Sequence, residues 1–197
     1  TSFGASSAIN SVIEELIPEL SETQPTLFFA VPRVYNKIYD GLNKRMEAGP
    51  EGTRKIFLAA MANANRRREL ANRGQSSLWA NLKNALFDKL VFSKVRDRLG
   101  GRLRYAFSGG AAISTEVATF IDNLGITVFE GYGLTETGPV STSNGWEEGH
   151  PCKLGSVGRA LPGVRIEIDR GAWDDPDSED GEIIIHGPNV MLGYWNM

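Results

Sequence analysis

Between residues 103 and 129 a strand, a glycine loop, a helix and a second strand follow in order, and no other stretch constrains the fold as tightly. Leu103 to Phe107 reads as a short apolar strand, followed by the loop Ser108-Gly109-Gly110-Ala111-Ala112. A helix is expected from Ser114, a good N-cap, with Glu116 in the first turn where the helix dipole favours an acid. Its apolar face is Val117, Phe120, Ile121 and Leu124, and Gly125 is a natural stop. Ile126 to Phe129 supplies the next strand. A βαβ unit of this kind makes its two strands parallel neighbours. The expected fold class is therefore α/β, a parallel sheet layered with helices.

The flanking sequence is compatible with that frame. Apolar residues at Ile9, Val12, Ile13, Leu16 and Leu20 share one helical face, with Pro18 kinking or restarting the helix. Leu27 to Val31, bracketed by Pro25 and Pro32, reads as a buried strand. A helix is expected after Pro32 through Val34, Ile38, Leu42 and Met46, ending at Gly49-Pro50. Residues 53 to 99 read as two more helices divided near Arg73-Gly74-Gln75-Ser76, the second apolar at Leu78, Leu82, Ala85 and Leu86. Arg66-Arg67-Arg68, beside Asn65 and Glu69, is expected to be a solvated helix face. Beyond residue 138 the texture changes to short strand-like runs, Val164 to Ile168 and Glu182 to His186. Asp174 to Asp180, mixed with Pro and Ser, reads as a solvated hairpin loop. The expected division is an α/β unit over 1–137, with a helical insertion over about 40–99, and an incomplete β-rich unit over 138–197 that begins a small β-barrel-like subdomain.

Composition narrows the chemistry. The net charge of −3 gives no global reason to expect nucleic acid or an acidic membrane as partner. A single cysteine, Cys152, cannot form an internal disulfide, which fits a reducing compartment, and no histidine-and-acid pattern makes it a nucleophile. His150 and His186 lack partner patterns and read as structural. No apolar run approaches the roughly 20 residues of a membrane span. Thr1 stands where an initiator would, and the chain reads as an internal piece.

In a parallel sheet, ligands collect at the carboxyl ends of the strands. Two loops leave those ends, Gly109 to Ala112 and Glu130 to Thr137, so both should face one crevice. Adjacent glycines do not make the G-x-G-x-x-G dinucleotide fingerprint, and no Walker-type Gly-Lys-Ser/Thr occurs. The first loop alone is as well read as a tight strand–helix turn as a nucleotide contact. The second adds Tyr132 between Gly131 and Gly133, then Thr135, Glu136 and Thr137. A hydroxyl beside a carboxylate over such a crevice suits phosphate with Mg2+, which takes hard oxygen ligands. Glu136 read as a surface acid and Tyr132 as a packing residue is the competing account.

Glu130-Gly131-Tyr132-Gly133-Leu134-Thr135-Glu136-Thr137 resembles the signature of the adenylate-forming superfamily, and Ser108-Gly109-Gly110-Ala111 its adenine loop. Gly155-Ser156-Val157-Gly158-Arg159, Leu161-Pro162-Gly163, and Gly181-Glu182-Ile183 through Gly187 to Trp195 resemble the blocks that follow, in the same order. Phe28 to Tyr35 followed by a long helical insertion is similar to the long-chain fatty acyl-CoA synthetases. The resemblance implies the central part of that superfamily's large domain, and an AMP-forming ligase that turns a fatty acid into acyl-AMP and passes it to CoA. Its alternatives are an adenylating ligase with another acceptor, such as a carrier protein, and a non-catalytic nucleotide-binding homologue. Gly110, Ala111 and Ala112 would line the adenine pocket, Tyr132 would stack on the ring and Glu130 lie near its edge, within an ATP-binding stretch running through Gly131, Gly133, Leu134 and Thr135. Thr135 would contact the α-phosphate and Glu136 hold Mg2+, as the two catalytic residues. ATP, CoA and the acid are the implied small-molecule partners, in the cytoplasm, with peripheral membrane association through the acyl substrate and no nucleic acid. The family's phosphate loop and catalytic lysine have no counterpart within Thr1–Met197, so the isolated chain is expected not to complete adenylation.

Overall fold

The computed structural model describes residues 4–10, 12–145, 152–172 and 180–196. Strands β1 (Leu27–Ala30), β2 (Tyr105–Ser108) and β3 (Thr127–Tyr132) form a parallel array in that order. Two short strands, β4 (Thr142–Ser143) and β5 (Arg159–Ala160), continue the sheet antiparallel beyond β3. A separate antiparallel pair, β6 (Arg165–Asp169) and β7 (Glu182–His186), follows. The sheet thus runs across residue 138, where the texture of the sequence changes. What changes there is strand direction, from parallel to antiparallel.

Helices α1 (Leu16–Thr23), α2 (Pro32–Glu47), α3 (Glu51–Asn72), α4 (Leu78–Phe87), α5 (Ser93–Arg98) and α6 (Thr115–Asn123) surround this frame. Local chemistry sets several ends. Ser114 Oγ accepts from the Val117 N–H at 3.2 Å and caps α6, while Ser77 does the same for α4. Pro32 occupies the first turn of α2, where a missing N–H costs nothing. Between α4 and α5 the chain widens into a π-helical turn, Asp88–Phe92. Arg96 grips Asp88 through two nitrogens at 2.7 and 2.9 Å and donates to the Leu124 carbonyl at 2.7 Å, bracing α5 against the end of α6.

The core lies between the helices and one face of the sheet. Tyr35, Ile38, Phe57, Ala60, Phe92, Val95, Val117, Phe120, Ile121 and Leu124 pack with Ala106 and Val128 of β2 and β3. Tyr35 is fully buried, and its hydroxyl donates to the carbonyls of Phe28 and Phe107 at 3.1 and 3.0 Å, tying α2 to two strands.

Several expectations are corrected. Leu27 to Val31 is not buried on both sides: Leu27, Phe29 and Val31 stay exposed because the described helices cover only the opposite face. Leu16 and Leu20 are the buried pair of α1, whereas Ile9 and Val12 precede the helix and are exposed. Of the two roles open to Pro18, the structure has the restart and not the kink: it sits in the first turn of α1, after a 3-10 turn at Ile13–Glu15. On α4 the apolar side faces outward. Ala80 is buried, with Asn84 and Phe87 half-buried, while Leu78, Ala85, Leu82 and Leu86 face away. Arg68 is not solvated: it donates to Asp122 and, at 2.9 Å, to Asn123 Oδ1, linking α3 to α6. Arg66 alone of that basic run is fully exposed, Arg67 reaching Asn81 Oδ1 at 2.9 Å. The stretch read as an acidic hairpin loop falls almost wholly on residues 173–179, outside the described residues, as does His150.

Candidate functional site: two loops at one sheet edge

Because β2 and β3 are parallel neighbours with Ser108 opposite Glu130, the loops that follow them leave the same edge of the sheet. The first is an open turn. Gly110 takes a φ of +80°, which glycine adopts without strain, and Gly110, Ala111 and Ala112 are all exposed. The second begins with half-buried Tyr132 at the end of β3 and reaches a single turn of 3-10 helix, Thr135–Thr137.

The glycines of the second loop answer to chain packing. A Cβ on Gly131 would stand 2.6 Å from the Phe107 ring, and one on Gly133 would collide with the Pro139 carbonyl. Neither has a positive φ, so each is required by close approach rather than by a left-handed turn. The hydroxyl of buried Thr137 accepts from the Leu134 N–H at 2.8 Å and donates to the Leu134 carbonyl at 3.1 Å, closing the turn from inside. Thr135 and Leu134 are exposed at its tip.

Glu136 is held from a distant part of the chain. Its Oε1 accepts from the Tyr194 hydroxyl at 2.7 Å, and its carbonyl accepts from the Met191 N–H at 2.8 Å. Asn189 adds two bonds, donating to the Thr137 carbonyl at 3.0 Å and to Ser141 Oγ at 3.1 Å. The bond from Tyr194 holds the Glu136 carboxyl below the usual glutamate range, so it stands ionised at neutral pH. The same bond raises the Tyr194 hydroxyl.

Glu130 is a different kind of acid. It is buried at 5% exposure, and its Oε1 accepts from the Gly155 N–H at 2.8 Å. Burial pushes its carboxyl up, and the Gly155 bond offsets part of that rise. Its backbone is clasped by Asn144, whose Oδ1 accepts the Glu130 N–H at 2.7 Å and whose amide donates to the carbonyls of Lys153 and Ser156 at 3.2 and 3.0 Å. Asn144 therefore joins β3 to the Gly155–Gly158 loop. Cys152 packs against the same strand, its thiol donating to the Val128 carbonyl at 3.0 Å. Burial pushes that thiol up to about 11, which suppresses the thiolate.

Sequence reasoning missed Asn144, Asn189 and Tyr194 as parts of this arrangement. Asn189 and Tyr194 lie inside a recognised block, Gly187 to Trp195, yet nothing in their spacing says that the block folds back over Glu136. His186 is half-exposed on β7, 3.8 Å from Glu167, and is not among the residues gathered around the two loops.

A single carboxylate, Glu136, with the Thr135 hydroxyl beside it in sequence, is the only hard-oxygen pair the loop tip offers. Among the described residues no group of three or more His, Cys, Asp or Glu side chains could hold a metal by itself. Mg2+ characteristically takes one or two carboxylates together with nucleotide phosphates. The donor set at the loop tip therefore fits Mg2+ that arrives with a nucleotide.

The fold matches a benzoate CoA ligase from Burkholderia xenovorans with a TM-score of 0.54 at 24% identity, over 96% of this chain and 28% of that one. A long-chain-fatty-acid–CoA ligase of Mycobacterium bovis is 37% identical over 94% of this chain. A peroxisomal long-chain acyl-CoA synthetase of Arabidopsis thaliana is 35% identical over 92%. The chain spans 28% of the length of the first relative and 25% of the second. The family described as AMP-binding enzyme matches residues 6–195, nearly the whole chain, and on that match the chain belongs to the AMP-binding enzyme family.

Proposed function

We propose that the crevice between the 109–112 and 132–137 loops is one wall of an ATP site, in an enzyme that joins a long-chain fatty acid to CoA through an acyl-adenylate. The observation that carries this reading is the parallel register of β2 and β3, which opens exposed Gly110, Ala111, Ala112 and Thr135 from one sheet edge. The two relatives above, both acting on long-chain acids by name, support the substrate class.

In the first step the carboxylate oxygen of the acid bonds to the α-phosphorus of ATP and pyrophosphate leaves. In the second the CoA sulfur bonds to the acyl carbon and AMP leaves. Gly110, Ala111 and Ala112 present backbone to the adenine, and Tyr132 offers its ring. Thr135 would donate its hydroxyl to the α-phosphate, and ionised Glu136, steadied by Tyr194, would hold Mg2+. That ion would neutralise phosphate charge, and the residues here act by positioning. Glu130 belongs to the frame, its carboxylate engaged with Gly155 rather than offered to the ring edge. Gly131, Gly133 and Leu134 shape the loop. The site works in the cytoplasm or at a membrane face.

The test uses the protein at its full natural length, with pyrophosphate release followed over carboxylic acids of graded chain length. Long-chain acids with CoA should turn over fastest, and Glu136→Gln or Thr135→Ala should lower kcat by about 100-fold. Turnover by both variants at the level of the unsubstituted protein, or release of pyrophosphate without thioester when CoA is supplied, would reject the reading.

A further inference from the structure

Residues 187–194 close over the 135–141 turn through two kinds of contact. The Met191 N–H donates to the Glu136 carbonyl at 2.8 Å, and Asn189 Nδ2 donates to the Thr137 carbonyl and to Ser141 Oγ at 3.0 and 3.1 Å. The segment sits close: a Cβ on Gly138, whose φ is +57°, would stand 3.2 Å from the Asn189 carbonyl. These bonds go to backbone and to Ser141, so none depends on which way the Glu136 side chain points. The Tyr194 hydroxyl differs. It donates to Glu136 Oε1 at 2.7 Å, the only bond among the described residues from this segment to that carboxylate.

Stability does not call for the bond. Tyr194 is 50% exposed and the pair is open to water, so either group could be hydrated in place of bonding the other. What the bond supplies is direction. An unheld glutamate side chain samples several rotamers. Here the hydroxyl that fixes Oε1 is carried by a segment already seated on the backbone of Glu136 itself. Among the described residues no Lys, Arg or His pairs with Glu136, whose carboxylate is met by neutral donors alone and keeps its charge for a cation. Carboxylates that bind metal are held by such outer hydrogen bonds, and losing one weakens metal binding by roughly 10–100-fold.

We propose that Tyr194 is a positioning residue for the metal: its hydroxyl aims the Glu136 carboxylate and so sets the affinity for Mg2+ on bound ATP, without altering the affinity for ATP itself. The proposal rests on the reading of Glu136 as the acid that holds Mg2+. By reciprocity, an ion on Glu136 steadies Tyr194 and the segment that carries it.

The test uses the full-length protein with neither acid nor CoA, so that nothing turns over. Calorimetry gives the affinity for ATP with Mn2+ in excess, standing in for Mg2+ at oxygen ligands, and again with divalent metal chelated. The ratio of the two affinities measures the metal coupling. Tyr194→Phe should lower that ratio about tenfold and leave the metal-free affinity within about twofold. Glu136→Gln should lower it at least as far, and adding Tyr194→Phe to Glu136→Gln should change nothing more, whereas a general structural loss would add in both backgrounds. Leu192→Ala, on the same segment and fully exposed, should keep the ratio of the unsubstituted protein. Hydrogen exchange needs no variant: amides of 189–195 should slow more with ATP and Mg2+ than with ATP alone. An unchanged ratio in Tyr194→Phe, with coupling lost in Glu136→Gln, overturns this proposal alone. An unchanged ratio in Glu136→Gln overturns it together with the metal reading beneath it. A further fall when Tyr194→Phe is added to Glu136→Gln, or exchange that ignores the metal, leaves Tyr194 a structural residue and overturns the proposal as well.

Discussion

At the residue scale, the two glutamates of the signature loop have opposite settings. Glu136 is held ionised at the tip by Tyr194, and Glu130 is buried behind it with its charge penalised. Burial raises the folded-state pKa of Glu130 above its ordinary value of 4.5. The folded chain therefore holds that proton more tightly than the unfolded chain. The cost of the ionised carboxylate is absent below the ordinary value and grows as pH rises through the raised one. Glu130→Gln keeps an oxygen for the Gly155 N–H and removes the charge. It should be at least as stable as the parent in urea melts at neutral pH, and lose any advantage as the pH approaches 4. A loss of stability at every pH would mean that the second oxygen makes a needed bond. The types of both acids are evident in the sequence. Their opposite environments are not, because Gly155, Asn144 and Tyr194 arrive from later segments.

At the scale of elements, the helical region between β1 and β2 is where sequence and structure part most. The positions of α2, α3 and α4 follow from periodicity and from the Gly49-Pro50 and Arg73–Ser76 breaks. Their facing does not. Apolar periodicity marks the outward side of α4, while its inner side is read only from Ala80, Asn84 and Phe87. Arg68 gives the corresponding case on α3, where a basic run hides one arginine committed to Asp122 and Asn123. Removing it should strand a half-buried acid and a buried amide. Arg68→Met is expected to cost about 1–3 kcal/mol in urea melts, and Arg67→Met under about 0.5 kcal/mol. Equal costs for the two would show that the link between α3 and α6 is not what holds those helices together.

For the whole molecule, the sheet has one face built into a core and one that is open among the described residues. Leu27, Phe29 and Tyr105 line the open face, with the Tyr105 and Phe129 rings stacked at 5.9 Å and those of Phe29 and Phe107 at 5.4 Å. Exposed apolar side chains grouped in this way, together with the α4 stripe, favour association in water. The 197-residue chain expressed alone should therefore self-associate with rising concentration. Phe29→Thr with Tyr105→Thr, both strand-compatible, should reduce that association in light scattering while leaving the melting temperature within a few degrees. Undiminished association would point to another surface.

What the sequence determined by itself is local and directional: a strand–loop–helix–strand unit, parallel strands, and two loops opening from one edge. Turn residues, caps and the two periodicities act within a few positions, so these can be read without a partner. The order of the motifs carried the family as well. Only the tertiary structure decided that residues 187–194 fold over Glu136, that Asn144 stitches β3 to the Gly155 loop, and that the leucines of α4 point away from the core. Each of those depends on which surfaces meet across long separations in the chain. Apolar periodicity specifies that a face avoids water, not what it will be packed against.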